Sequence, residues 1–258
     1  MGKSKSVKMV SLVLFCAMGF VASPAQTVQT LATFSVAKGY ASYAAFARGT
    51  NGRFYGTTAD AGAHGHGAVF EITAAGNMSI LYSFCAQANC VDGDSPVGLI
   101  QATNGNFYGT TSLGGTFGGG TVFEISLAGT MTTLHSFGSP DGTDPAAGLI
   151  QAAGGNFFGT TEFGGQFGFG TVFTLSMGLG PFVETRPSSA KVGAKVIILG
   201  NKLTGATSVS FNGTAATFKV VSGTEITATV PSGATTGTVQ VKVPSGTLKS
   251  NIAFHVNP

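Results

Sequence analysis

The residues able to do chemistry are few and scattered. His64-Gly-His66 sets two imidazoles one residue apart, a spacing that can begin a transition-metal site, with Asp60 close by in sequence. Zinc sites take three or four protein ligands, and both histidines sit in a glycine-rich loop, so a surface or packed role outweighs ligation. Asp92-Gly-Asp94-Ser-Pro96 and Asp141-Gly-Thr-Asp144-Pro145 offer closely spaced carboxylates, the ligand type of Ca²⁺. An EF-hand loop is longer and ends in Glu, whereas Asp-Gly followed by Pro is an ordinary turn in which Asp accepts from nearby amides. Glu71 and Glu124 each stand between Phe and Ile, and the third copy of that position is Thr174. Two carboxylates about 5 to 9 Å apart across a cleft hydrolyse glycosidic bonds, but a solvated strand face is the stronger reading. His135 and His255 have no motif around them that would build a nucleophilic triad. No catalytic, cofactor-binding or metal-ligating set is assigned.

Two cysteines remain as candidates for covalent chemistry. Residues 1–25 have the layout of a secretory signal: Lys3, Lys5 and Lys8, an apolar run from Met9 to Val21, then small residues ending at Ala25. That run is too short to span a bilayer comfortably, so a chain exported to the periplasm, the cell surface or the medium, without stable membrane insertion, is expected. Past Cys16, in the leader, only Cys85 and Cys90 are left, an even number bound for an oxidising space. They bracket Ala86-Gln-Ala-Asn89, inside an insertion that the next repeat lacks, and are expected to form a disulfide that staples this loop. Beyond the leader ten acids meet ten bases, but residues 26–180 carry Lys38, Arg48 and Arg53 against eight acids, and residues 181–258 carry seven bases against Glu184 and Glu225. The lysines of the basic half are spread over several strands, where Lys blunts sheet edges, and export argues against a nucleic-acid partner.

The elements that position these residues come from a repeat. Asn51-Gly-Arg-Phe-Tyr-Gly-Thr-Thr58, Asn104-Gly-Asn-Phe-Tyr-Gly-Thr-Thr111 and Gly154-Gly-Asn-Phe-Phe-Gly-Thr-Thr161 place Gly56, Gly109 and Gly159 at intervals of 53 and 50 residues. A period of this size marks a repeat architecture. Each unit contains four candidate strands with turn signals between them; in the second they are Gly98–Ala102, Phe107–Thr111, Thr121–Ser126 and Thr130–Phe137. Asn104-Gly105 suits a type I′ hairpin turn. The tracts Gly114–Gly120 and Gly164–Gly170 precede no helix and lack the Lys of a phosphate loop; they are expected to be tight strand connections. The aromatic pairs Phe54-Tyr55, Phe107-Tyr108 and Phe157-Phe158 alternate across a strand, so one ring of each can pack between units while the other reaches the opposite face. Outward rings would make a sugar-stacking platform; packing between units is favoured.

The recurring Gly-Leu-Ile-Gln-Ala, Asn-Gly-Asn-Phe-Tyr-Gly-Thr-Thr and Gly-Gly-x-x-x-x-Gly-Thr-Val-Phe motifs resemble the bacterial GloVer-type tandem repeat over residues 28–177. The first unit departs from the pattern, with His64 in the slot of Phe117 and Phe167 and Ala68 in that of Thr121 and Thr171. The resemblance implies propeller-like blades and export or surface attachment. Ser176–Pro181 breaks the pattern; beyond it Gly193–Gly200, Val209–Gly213 and Ile226–Pro231 are similar to an IPT/TIG domain, which implies an immunoglobulin-like sandwich over residues 181–258. Alternation of Ile226, Ala228 and Val230 with threonines agrees with that.

The predicted class is all-β: three four-stranded propeller-like units over 26–180, with a β-trefoil, a β-prism or an open stack as alternatives, followed by the sandwich. Val28–Phe34 matches the fourth strand of the internal units, Met78–Phe84 and Met131–Phe137, while the last unit runs into the linker without one. The segment is therefore expected to pair with the last unit and close the three into a ring. The predicted function is an exported, non-catalytic binding or structural module with an extracellular ligand, polysaccharide or a surface protein. An extracellular hydrolase or lyase acting on carbohydrate is the alternative. Two buried carboxylates facing one cleft would favour the enzyme, and an exposed row of aromatic rings the binder.

Overall fold

Glycine opposite phenylalanine is the pairing on which each repeat is built. Gly56 lies across from Phe70, Gly109 from Phe123 and Gly159 from Phe173 on adjacent antiparallel strands. A Cβ at these glycines would stand 2.7, 2.6 and 2.4 Å from the ring's Cζ. The tip of the phenylalanine ring therefore lies over its bare partner, and the glycine of Phe-Tyr-Gly-Thr-Thr is fixed by this close approach.

The computed structural model describes residues 27–258, so the leader expected at 1–25 lies outside the described residues. The first blade comprises β1 (Ala47–Arg48), β2 (Phe54–Thr58), β3 (Ala68–Ile72) and β4 (Met78–Ser83); the second comprises β5 (Asp94–Gln101), β6 (Phe107–Leu113), β7 (Thr121–Ile125) and β8 (Met131–Ser136). The third has three strands, β9 (Ile150–Gln151), β10 (Phe157–Thr161) and β11 (Thr171–Leu175). Strand order in every blade follows the chain, each strand antiparallel to the next. This is the meander that four short strands and tight turns produce.

A blade alone buries little, and the core lies between blades. The Tyr55 ring packs 4.1 Å from Phe107, and Tyr108 repeats the contact on Phe157 at 4.4 Å. Phe84 meets Phe123 edge-on at 5.0 Å, and Phe137 meets Phe173 at 4.8 Å. One apolar cluster accordingly spans the first and second blades and another the second and third, as expected where each repeat gains its core from its neighbour. The threonines of the motif tie strands together: Oγ1 of Thr111 lies 2.9 Å from that of Thr121, and Thr161 and Thr171 repeat the pair at 2.9 Å.

The expected ring closure within one chain is not observed. β11 is an edge strand, and residues 27–34 form no strand. Instead Phe34 packs edge-on against Phe70 of the first blade at 5.4 Å, the place that Phe84 takes against the second. Closed propellers need four to eight blades; three leave the two ends apart, and the open stack is the arrangement found.

Past the blades, two four-stranded sheets enclose a separate apolar core. β12 (Val183–Arg186), β13 (Ser189–Lys191), β14 (Lys195–Gly200), β15 (Ser208–Phe211) and β16 (Thr214–Ala216) are followed by β17 (Phe218–Ser222), β18 (Glu225–Thr229), β19 (Val239–Val243), β20 (Gly246–Lys249) and β21 (His255–Asn257). The sheets run β12-β14-β18-β17 and β16-β15-β19-β20, with β13 and β21 pairing in parallel at the side. Val196, Ile198, Ile226 and Ala228 from one sheet face Val209, Phe211, Val239 and Val241 from the other. This is the immunoglobulin-like sandwich that the alternation predicts. Met177 and Leu179 of the linker pack onto the cluster between the second and third blades, and Phe182 donates its amide to the Ala153 carbonyl at 3.0 Å.

Candidate functional site

Glu71 and Glu124 are each held within their own blade by a repeated brace. Asn51 Nδ2 donates to the Tyr55 hydroxyl at 2.8 Å, and that hydroxyl donates to Glu71 Oε2 at 3.2 Å. Ser79 Oγ adds a bond to Glu71 Oε1 at 3.0 Å, and the Arg53 guanidinium pairs with the same oxygen. In the second blade Asn104 donates to Tyr108 at 2.9 Å, Tyr108 to Glu124 at 2.8 Å, and Asn106 Nδ2 to Glu124 at 2.6 Å. The brace ties the Asn-Gly hairpin turn to the third strand of its blade. Burial, reinforced by the bond to Glu124, pushes the Tyr108 phenol up to about 12. Burial raises Tyr55 as well, with Glu71 adding to it. The sequence signal for this brace is a triple that changes together, because Asn104, Tyr108 and Glu124 become Gly154, Phe158 and Thr174 in the last blade.

Asp92 and Asp141 behave as turn residues. Asp92 is fully buried and accepts from Tyr82 Oη at 2.7 Å and from the amides of Ala86 and Gln87 at 2.9 and 3.2 Å, shaping the inserted loop. Asp141 accepts from the Gly138 amide at 2.9 Å and contacts His135 Nε2 at 2.5 Å. Burial alone would raise Asp141, but these two partners outweigh it and hold the carboxyl below its ordinary value. Asp94 turns away from Asp92 to His66 Nδ1, 2.9 Å distant.

Of the two loop histidines, His64 is exposed and His66 half-buried. Cys85 and Cys90 are joined across their five-residue separation, and His66 presents a nitrogen within 4.8 Å of both sulfurs. Sequence spacing did not bring these three together, since the contact is made by loops of the first blade that meet only in the fold. A metal would take the two sulfurs as thiolates, whereas here they are bonded to each other.

The glycine loops between the second and third strands present aromatic rings to solvent. Phe117 is 73% exposed in the second blade, and Phe167 and Phe169 are 77% and 90% exposed in the third. Phe163 at the start of the third loop is also exposed. Phe117 borders an open cleft whose other walls are Gln87 and Val91 of the inserted loop and Met131, Thr133 and His135 of β8. The cleft combines one flat apolar face with amide, hydroxyl and imidazole groups.

Residues 18–215 match the model of the Gloeobacter/Verrucomicrobia repeat. The chain belongs to this repeat family. Residues 183–256 match the IPT/TIG domain, and the overlap of the two matches falls on strands that the fold places in the sandwich. No curated protein is significantly similar to the chain. Among solved structures the repeat chain is similar to a fungal alcohol oxidase of the AA5 family in complex with copper, at 12% identity and a TM-score of 0.38. The match covers 82% of this chain and 53% of that one, so the chain spans about half of the oxidase's length.

Proposed function

We propose that the protein is exported and serves as a non-catalytic binding module whose ligand is an extracellular polysaccharide. The observation that carries this reading is the set of exposed rings at the same loop of successive blades, Phe117, Phe167 and Phe169. Flat apolar faces beside hydrogen-bonding groups suit the faces and hydroxyls of sugar rings. Glu71 and Glu124, the carboxylates on which a hydrolase would depend, are engaged in separate braces. Among the described residues no helix is long and apolar enough to cross a membrane. In this reading Cys85–Cys90 is a loop staple kept by an oxidising compartment, and alkylation without reductant should label neither cysteine.

A glycan array, run beside a broad screen for polysaccharide hydrolase and lyase activity, tests the proposal. Retention of a glycan that Phe117→Ala and Phe167→Ala together weaken at least tenfold supports it. Turnover of a polysaccharide with no retained glycan reverses it in favour of the enzyme.

A further inference from the structure

The two ends of the blade stack are complementary halves of the interface that the stack already contains twice. At the downstream end, the positions that each blade buries under the next are bare: Val69 and Val122 are fully buried, whereas Val172 is 79% exposed. Tyr55 and Tyr108 are buried under Phe107 and Phe157, whereas Phe158 is partly exposed with no ring opposite. The hydroxyls of Thr57 and Thr110 reach the carbonyls of Val97 and Ala147 in the following blade; the equivalent Thr160 is exposed and has no such partner. β11 also lacks the fourth strand that β4 and β8 supply to β3 and β7.

The upstream end holds a segment placed like the missing strand. Leu31–Phe34 stand to the first blade as the end of β4 stands to the second. The Phe34–Phe70 contact matches Phe84–Phe123 in distance and edge-on geometry. The Leu31 carbonyl lies over Gly76, where a Cβ would come within 2.1 Å, just as the Leu81 carbonyl lies over Gly129, where a Cβ would come within 2.7 Å. Residues 31–34 thus lie against the first blade where the end of a fourth strand lies against the second, while the third blade has three strands and no fourth.

We infer that two copies of this chain stack head to tail and close a six-bladed ring, each copy's segment 28–34 completing the third blade of its partner. The occupant follows from continuity with the internal interfaces: the face of Val172 and Phe158 is built to receive Phe54 and Phe70, and the segment that fits β11 is already seated on Phe70. Three blades from each copy give six, inside the range of closed propellers. A two-fold axis turns the head-to-tail contact into a closed assembly and leaves no uncovered blade face for further growth. Pairing one copy's β11 with the other's segment as β3 pairs with β4 sets Val172 opposite Ala32, the equivalents of Val69–Tyr82 and Val122–His135.

Light scattering on the purified protein should give twice the monomer mass. Val172→Lys, exposed in the single chain and so harmless to its fold, should give the monomer, and removal of residues 27–34 should do the same. The Ala32→Cys/Val172→Cys double variant, oxidised, should run as a covalent dimer on a denaturing gel, while either single variant should not. A monomeric wild type overturns the inference, as do open assemblies that lengthen with concentration. A dimer that survives both Val172→Lys and the deletion shows that the copies meet elsewhere and overturns it too.

Discussion

The second and third blades share one sequence motif, and the residues of that motif differ in burial on one face. Tyr108, Thr110 and Val122 of the second blade are buried by the third; their counterparts Phe158, Thr160 and Val172 face no blade of the same chain. The Asn104–Tyr108–Glu124 brace is absent from the third blade, all three members having changed. A residue's role in this protein is therefore set less by its own strand than by whether another blade stands in front of it.

The sharpest way to break that comparison is to put the same charge on both faces. Val122→Lys buries an ammonium in the core between blades and is expected to cost about 4 kcal/mol or to prevent folding. Val172→Lys, compared with wild type diluted until it too is monomeric, is expected to stay within about 0.5 kcal/mol. Urea melts decide it, and equal losses at the two positions would mean that the third blade's face is covered within the single chain.

A milder version targets the glycine that carries the crossing ring. A Cβ at Gly109 would sit 2.4 Å from the Gly98 carbonyl and 2.6 Å from Phe123 Cζ, whereas at Gly159 its closest neighbours are the side-chain ends of Phe173 and Leu149. Backbone cannot retreat as a ring can, so Gly109→Ala is expected to cost about 3 kcal/mol and Gly159→Ala about 1 kcal/mol. Equal penalties would show that the ring, and not the neighbouring strand, sets the requirement.

Much of this was legible in the sequence because the motif repeats: the strands, the three-strand remainder of the last unit and the kinship of Val28–Phe34 to a fourth strand. The second unit's first strand runs from Asp94 and not from Gly98, an extension that local patterning does not mark. Closure was not legible, because it depends on how many blades a turn needs, which no residue of a single blade encodes. Nor was the role of the glutamates: Glu124 reads as a solvated strand residue until register places it beside Tyr108 and Asn106. The exposed phenylalanines of the glycine loops resemble core residues by type, and only the fold shows what stands next to them.

Alkali separates the blades by a smaller margin. Tyr108 is held neutral up to about 12 and Tyr55 is raised too, while the third blade has Phe158 at that position. A phenol whose folded pKa exceeds the unfolded value near 10 keeps its proton when the unfolded chain has lost it. The folded state then binds more protons, so stability is complete below about pH 10 and declines as pH rises toward 12. Amide exchange across that window should loosen the first two blades before the third, and Tyr108→Phe, at a cost of about 1 kcal/mol near neutrality, should flatten the second blade's decline. A third blade that loosens first would assign the alkaline effect to another group.

The smallest expected effect is a gain, and it comes from the one blade that breaks the threonine pair. Thr111 Oγ1 accepts the Thr121 amide at 3.0 Å, bonds the Thr121 hydroxyl at 2.9 Å and donates to the Leu113 carbonyl at 2.8 Å. In the first blade the residue opposite Thr58 is Ala68, and the fully buried Thr58 Oγ1 has no hydrogen-bond partner. Ala68→Thr would return the hydroxyl that the other blades carry. Room for the added methyl exists in the second blade because Gly115 has no Cβ, which would otherwise lie 2.8 Å from Thr121 Cγ2, and the first blade keeps a glycine, Gly62, at the corresponding position. One buried hydrogen bond to a formerly unsatisfied oxygen stabilises by about 1 kcal/mol, so Ala68→Thr should raise the unfolding free energy read from urea melts by that amount. The reverse change, Thr121→Ala, should lower it by a similar amount, since Thr111 Oγ1 loses one bond and keeps those to the Thr121 amide and the Leu113 carbonyl. If Ala68→Thr is destabilising, the pocket around Thr58 has closed over the missing hydroxyl, and the first blade is packed on a plan of its own.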